Sequence, residues 1–189
     1  MRYVLASKSP RRRQLLGELL DSFDILTADT DETLPSGMHP REGVRVLAER
    51  KGAAVLPLLC DDVCIISSDT LVELDGDPLG KPESESDAVE MLTRLSGRAH
   101  NVHTGVAVHL GGRVYSGVAS TAVRFRNLTH KEILDYIATG EPMDKAGSYG
   151  IQGLGGAFVE GYQGDFDTVV GLSVALTRRL LEEAENDKS

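Results

Sequence analysis

Apolar positions along the chain fall into short runs broken by polar turns, and the runs alternate between strand-like and helix-like spacing. Arg2-Tyr3-Val4-Leu5-Ala6 reads as a short buried strand. Ser7-Lys8-Ser9 follows as a turn, and Ser9-Pro10 matches an N-cap with proline at the first helical position. Leu15, Leu16, Leu19 and Leu20 then recur at helical spacing. Phe23 to Ala28 predicts a second strand that runs into the acidic stretch Asp29-Thr30-Asp31-Glu32. Pro40 to about Leu56 predicts an amphipathic helix through Val44, Leu47, Ala48 and Val55, with Gly52 weakening the pattern. Val63 to Ser68 is β-branched and apolar enough for a buried strand, with Asp69 and Thr70 at its exit.

The second half continues the alternation. Asp75-Gly76-Asp77-Pro78 is a turn, Ser84 or Ser86 caps a helix running to Leu95, and Gly97 stands where a C-terminal glycine is expected. Strands over Val102 to Leu110 and Val114 to Phe125 meet at Gly111-Gly112, a two-residue hairpin signal. Thr129 caps another helix that Gly140 closes, and a glycine-rich stretch extends from Gly147 to Gly164. A final helix is expected from Leu172 to Glu185, with Asn186 to Ser189 frayed. The pattern predicts an α/β fold without a linker between domains.

The 189 residues suit one sizeable globular domain. Twenty-nine acidic against 20 basic side chains give a net charge of −9, which disfavours a general nucleic-acid surface. The first 13 residues nevertheless carry Arg2, Lys8, Arg11, Arg12 and Arg13 and no acid, leaving 15 basic and 29 acidic side chains downstream. Cys60 and Cys64 have neither zinc-finger nor disulfide-framework spacing and read as small buried hydrophobes. With no run of about 18 apolar residues and no signal-peptide core, a cytoplasmic protein without a membrane partner is expected.

Helix N-termini favour acids, yet the first helix opens with three arginines. Backbone N–H groups, the Ser7 and Ser9 hydroxyls and the guanidinium groups of Arg11 and Arg12 together make a site for phosphate oxygens, at a strand-to-helix turn where open α/β sheets bind ligands. Asp69 is the candidate reacting group, as metal ligand or proton acceptor. Glu32, or in its place Asp29 or Asp31, supplies a second carboxylate for a magnesium or manganese shell. Lys51 and Lys81 are candidate phosphate contacts. Gly76 to Pro82 fails as a P-loop because the glycine spacing is short and Pro82 stands where Ser or Thr is required. The glycines from Gly150 to Gly156 lack dinucleotide spacing. His100 and His103 would point to opposite faces of one strand, which argues against zinc, while His39, His109 and His130 carry no signal beyond surface or edge positions.

In order along the chain stand Leu5-Ala6-Ser7-Lys8-Ser9-Pro10-Arg11-Arg12, Asp69-Thr70-Leu71-Val72, Gly80-Lys81-Pro82, Ser96 to Gly105, and Lys145-Ala146-Gly147-Ser148-Tyr149-Gly150-Ile151-Gln152-Gly153. Together these blocks resemble the Maf family of nucleotide pyrophosphatases over nearly the whole chain. The resemblance implies an elongated mixed sheet flanked by helices, with a cleft between two lobes, similar to inosine triphosphate pyrophosphatase. It implies hydrolysis of dTTP and UTP between the α and β phosphates, a divalent cation, Asp69 as proton acceptor, Arg12, Thr70 and Gln152 as specificity positions, and a homodimer. A glutamine amide suits base reading because it both donates and accepts. The chain departs from the family where Thr168 and Ser173 replace its asparagine and proline, which bears on geometry near the last helix and on base preference. A non-catalytic nucleotide- or nucleic-acid-binding regulator is the rival reading.

Overall fold

The computed structural model describes residues 1–59 and 63–187. It is a mixed α/β structure with one seven-stranded sheet. In chain order the elements are β1 (Arg2–Leu5), α1 (Pro10–Leu16), β2 (Asp24–Ile25), α2 (Pro40–Val55), β3 (Val63–Leu74), β4 (Asp77–Leu79), α3 (Glu85–Leu95), β5 (Ala99–Leu110), β6 (Arg113–Phe125), α4 (His130–Ile137), β7 (Val159–Gln163), α5 (Phe166–Val170) and α6 (Val174–Asn186). The strand order is β2-β1-β3-β5-β6-β7, with β4 paired to β3. Among the described residues no helix is long and apolar enough to cross a membrane.

The chain divides into two compact units, one made of Met1–Asp69, Thr104–Ala119 and Gly171–Ser189, the other of Thr70–His103 and Ser120–Val170. In the first, β1 pairs in parallel with β2, Leu5 opposite Ile25, and with β3, Leu5 opposite Ile66. Parallel pairing sends all three strands out at the same edge. Val4, Ala6, Val55, Val63 and Ile65 form an apolar cluster there. In the second unit, β3 and β4 form a hairpin over Asp75 and Gly76, both at positive φ, and β6 pairs antiparallel with β7. Val72, Leu74, Leu92, Val123, Phe125, Ile133, Tyr136 and Phe158 are buried together in its core.

The local signals behave as their chemistry requires. Ser9 caps α1 and Ser84 caps α3. Thr129 and Glu132 form a reciprocal capping box on α4. Gly111 and Gly112 both lie at positive φ, as a type I′ hairpin demands. Ser173, one of the two family departures, caps α6 by accepting from the Leu176 N–H, so the helix starts at Val174 rather than Leu172 and its entry is preserved. The other departure, Thr168, is buried within α5.

Other expectations need correction. The strand over Phe23 to Ala28 shrinks to two residues, both exposed. β3 does not end at Ser68 but continues to Leu74, since Val72 and Leu74 pack into the second core. The glycine-rich stretch hides β7, which pairs with β6 despite Gly161, and α5 lies beyond it. α1 stops at Leu16, and Leu19 and Leu20 sit in the following turn. Helix α6 runs through Asn186, which is not frayed. Cys64 is buried as expected, while Cys60 and the last two residues lie outside the described residues.

His100 fixes the pH response of the second core. Its Nε2 is 2.8 Å from the Tyr149 hydroxyl, its ring packs edge-on against Phe125 and Tyr149, and its Nδ1 has no hydrogen-bond partner among the described residues. Burial pushes its pKa from 6.5 down to about 4. Unfolded chains take up this proton near pH 6.5 and the folded protein does not until about 4, so stability falls as the pH drops through that window, by roughly 3 kcal/mol. Urea denaturation between pH 7 and 4 should show this decline, and His100→Phe should flatten it; an unchanged slope in the variant would count against the assignment.

Candidate active site

The parallel edge of the first unit collects the chain's charged candidates. Asp69 lies three residues beyond Ile66, the last residue of β3 paired to β1, so it stands just past the end of the parallel ladder although its own strand continues. Ser7 leaves β1 at the same edge, and Glu32 lies on the loop that follows β2. Open α/β sheets bind ligands at this strand edge.

Lys51, near the C-terminal end of α2, is bound to both acids. Its Nζ makes a short contact with Asp69 Oδ1 and lies 2.8 Å from Glu32 Oε1. Asp69 is 11% exposed at its side chain and Lys51 18%, whereas Glu32 is 56% exposed. A nearly buried carboxylate requires a compensating cation, because desolvation otherwise costs several kcal/mol. Lys51 supplies it. Asp31 does not take the place of Glu32: its carboxylate accepts from the Thr33 N–H at 2.8 Å, which holds its pKa below the usual value and closes the loop. Arg50 donates to the carbonyls of Asp31 and Thr33, tying that loop to the helix turn next to Lys51.

The turn carrying Lys51 is fixed from below. Ser67 Oγ donates to the Ala48 carbonyl at 2.7 Å. His109, expected at a surface or edge, is instead buried beneath the helix, where desolvation lowers its pKa. Gly52 explains the weak helical signal, because a Cβ there would lie 2.3 Å from His109 Nε2 and 2.8 Å from Ser67 Oγ. Glycine is required by the close approach, despite its cost in a helix interior.

Arg12 is the second cation of the edge. Its Nε donates to the Gly171 carbonyl at 2.8 Å, and Ser68 Oγ donates to the same oxygen at 2.8 Å. Ser9 Oγ accepts from the Arg12 N–H, Ser7 Oγ accepts from the Ser9 N–H, and Arg12 Nη1 reaches Ser7 Oγ at 3.5 Å. Burial lowers the Arg12 pKa, Asp69 and Glu32 work to raise it, and Arg11 adds to the lowering. Arg12, Asp69 and Glu32 therefore share one electrostatic neighbourhood. The anchor on Gly171 had no signal in the sequence, since a carbonyl acceptor 159 residues away leaves no local pattern.

Ser7, Ser9, Arg11, Arg12, Glu32, Lys51 and Asp69 thus all belong to the first unit, while Thr70, Lys81 and Gln152 belong to the second. Thr70 follows Asp69 on β3 and is partly buried. Lys81 is exposed beyond β4, and the Gly147 N–H donates to the neighbouring Gly80 carbonyl at 3.0 Å, which joins the Gly-Lys-Pro block to the block carrying Gln152. Gln152 is exposed on the glycine loop. His100 and His103 do face opposite ways, His103 lying 2.7 Å from both Glu73 Oε2 and Ser120 Oγ.

A family model described as Maf-like protein matches residues 2–184. The chain belongs to the Maf-like protein family. Among its curated relatives, the dTTP/UTP pyrophosphatase of Desulfitobacterium hafniense is 49% identical over 184 residues, covering 94% of this chain and 83% of that protein. The dTTP/UTP pyrophosphatases of Pelotomaculum thermopropionicum and Bacillus velezensis are 48% and 47% identical, with coverage of 95% and 96% of each chain respectively. A solved nucleoside-triphosphatase / dITP/XTP pyrophosphatase from Mycobacterium abscessus aligns over 98% of this Maf-like chain and 96% of its own, with a TM-score of 0.47 and 12% identity.

The notch under Lys51 is open to a stability test. Gly52→Ala should cost about 1–3 kcal/mol through overpacking, whereas Gly80→Ala, with nothing within 4 Å of the added carbon, should cost far less. Urea midpoints of the two variants against the parent check the contrast; equal effects would remove the notch from the account.

Proposed function

We propose that this protein hydrolyses dTTP and UTP to the nucleoside monophosphate and pyrophosphate, assisted by a divalent cation. The observation that carries the reading is Lys51 bridging Asp69 and Glu32, which also act on Arg12, just past the end of the parallel ladder of β1, β2 and β3. The relatives named dTTP/UTP pyrophosphatase support the choice of substrate. The acidic remainder of the chain disfavours nucleic acid as a partner, and the cytoplasm, where nucleotide pools are held, is the location that suits this substrate.

The donor set fits a hard cation. Two carboxylates already converge on one point, where Lys51 now meets both. No cluster of three or more His, Cys, Asp or Glu side chains able to hold a metal occurs among the described residues. Two protein carboxylates completed by phosphate oxygens and water are what magnesium or manganese accepts. Asp69 and Glu32 would hold the ion, which when bound supplies Lewis acidity to the phosphate oxygens.

The remaining work falls to side chains. Asp69 orients the attacking water and accepts its proton as the water oxygen bonds to the α phosphorus. The bond from that phosphorus to the α–β bridging oxygen breaks, and pyrophosphate departs with the electron pair. Arg12, Lys51 and Lys81 offset the charge that accumulates on it, and Ser7, Ser9 and Arg11 hold phosphate oxygens. Base selection is assigned to Arg12, Thr70 and Gln152 by their motif positions.

Pyrophosphate release from a panel of nucleoside triphosphates with magnesium or manganese tests the reading. Turnover should be greatest with dTTP and UTP, vanish with chelator, and return with added metal. Asp69→Asn should lower kcat by about a hundredfold or more. Full turnover by that variant sinks its role as base, and tight nucleotide binding without product would instead give the regulator.

A further inference from the structure

The loop from Gly150 to Gly156 has the composition of a phosphate-binding nest, in which successive backbone N–H groups converge on an anion. Here the anion belongs to the chain itself. Glu141 Oε2 accepts from the Leu154 N–H at 3.0 Å, and Oε1 accepts from the Gly155 N–H at 3.2 Å and the Tyr136 hydroxyl at 2.9 Å. The Gly150 N–H donates to the same Tyr136 oxygen at 3.1 Å. One carboxylate and one phenol therefore collect the amides on both sides of Gln152.

The glycines are explained by this pair. A Cβ at Gly153 would lie 2.4–2.6 Å from the Glu141 carboxyl atoms, and one at Gly155 would lie 2.7 Å from the Tyr136 oxygen. Glu141 is itself held firmly. It follows Gly140, which ends the α4 segment at a positive φ. Its carbonyl accepts from Lys145 Nζ at 2.6 Å, and its N–H donates to Thr139 Oγ1 at 3.2 Å. Tyr136 is buried on α4 against Phe158, their ring centroids 5.0 Å apart. Burial works to raise the Glu141 pKa, but the two amides, the phenol and Lys145 outweigh it and keep the carboxyl below its ordinary range. The nest is filled by an ionised group, and Gln152 at its rim is left exposed.

We propose that Glu141, acting with Tyr136, is the positioning residue for Gln152: by filling the amide nest of the glycine loop it closes that loop to phosphate and holds the glutamine amide ready for a nucleobase edge. The inference rests on the assignment of Gln152 to base selection. Glu141→Gln sets an NH2 group against donors in place of one carboxylate oxygen, so the loop loses its hold without losing side-chain volume.

The test uses the full chain and kcat/KM for dTTP, UTP, dGTP and ATP, in Gln152→Ala, Glu141→Gln, Tyr136→Phe and the Gln152→Ala/Glu141→Gln double variant. Gln152→Ala should reduce the preference for pyrimidine over purine triphosphates. Glu141→Gln should reduce it by about tenfold, chiefly through KM for dTTP and UTP, and should add no more than about twofold in the Gln152→Ala background. Tyr136→Phe, which keeps the ring on Phe158, should give a smaller loss of the same kind and carries the test alone should Glu141→Gln not fold. An equal loss of kcat for all four nucleotides, or a full additional effect in the double variant, overturns the positioning role and leaves Gln152 intact. An unchanged preference in Gln152→Ala overturns the reading of Gln152 itself, and this inference with it.

Discussion

The chemistry proposed for this protein depends on a carboxylate that the fold nearly buries and on the ammonium group that meets it. Asp69 follows two fully buried serines on β3, and Lys51 meets its carboxylate there. Much of the surrounding structure secures that meeting. Ser67 and the buried His109 lie under the α2 turn, Gly52 lets the turn approach them, and Arg50 draws the Glu32 loop towards the same lysine. Two carboxylates at one point are also the oxygen ligands that a hard divalent ion would take together with phosphate and water.

Arg12 completes the balance from the other side. Arginine at a helix start is unfavourable to the helix dipole, and its burial is opposed by the loss of water. The Gly171 carbonyl fixes its Nε, and the two acids offset part of that loss. The same carbonyl accepts from Ser68, one residue before Asp69. The arginine and the residue before Asp69 are thus tied to one backbone carbonyl.

The sequence made the caps, hairpins and long helices legible because each depends on a few neighbouring residues: Ser9 with Pro10, Thr129 with Glu132, and Gly111 with Gly112. It suggested Asp69 and Glu32 because acids that follow strands stand at the sheet's edge, and the arginine turn because arginines oppose the dipole of a helix start. What it did not disclose depends on distant partners. Gly52 looked like a helix defect until His109 was found beneath it, and His109 looked superficial because nothing local reports its burial. β3 looked finished at Ser68 because Asp69 and Thr70 interrupt its apolar run and its second half packs into a different core. The commitment of the glycine-loop amides to Glu141 was hidden for a related reason, since its side chain lies ten or more residues earlier in the chain.

The most direct measurement of the central claim is phosphorus NMR of the products formed from dTTP in water enriched in oxygen-18. Attack by water at the α phosphorus predicts labelled thymidine monophosphate and unlabelled pyrophosphate. Label in the pyrophosphate, or release of inorganic phosphate with thymidine diphosphate, would contradict it.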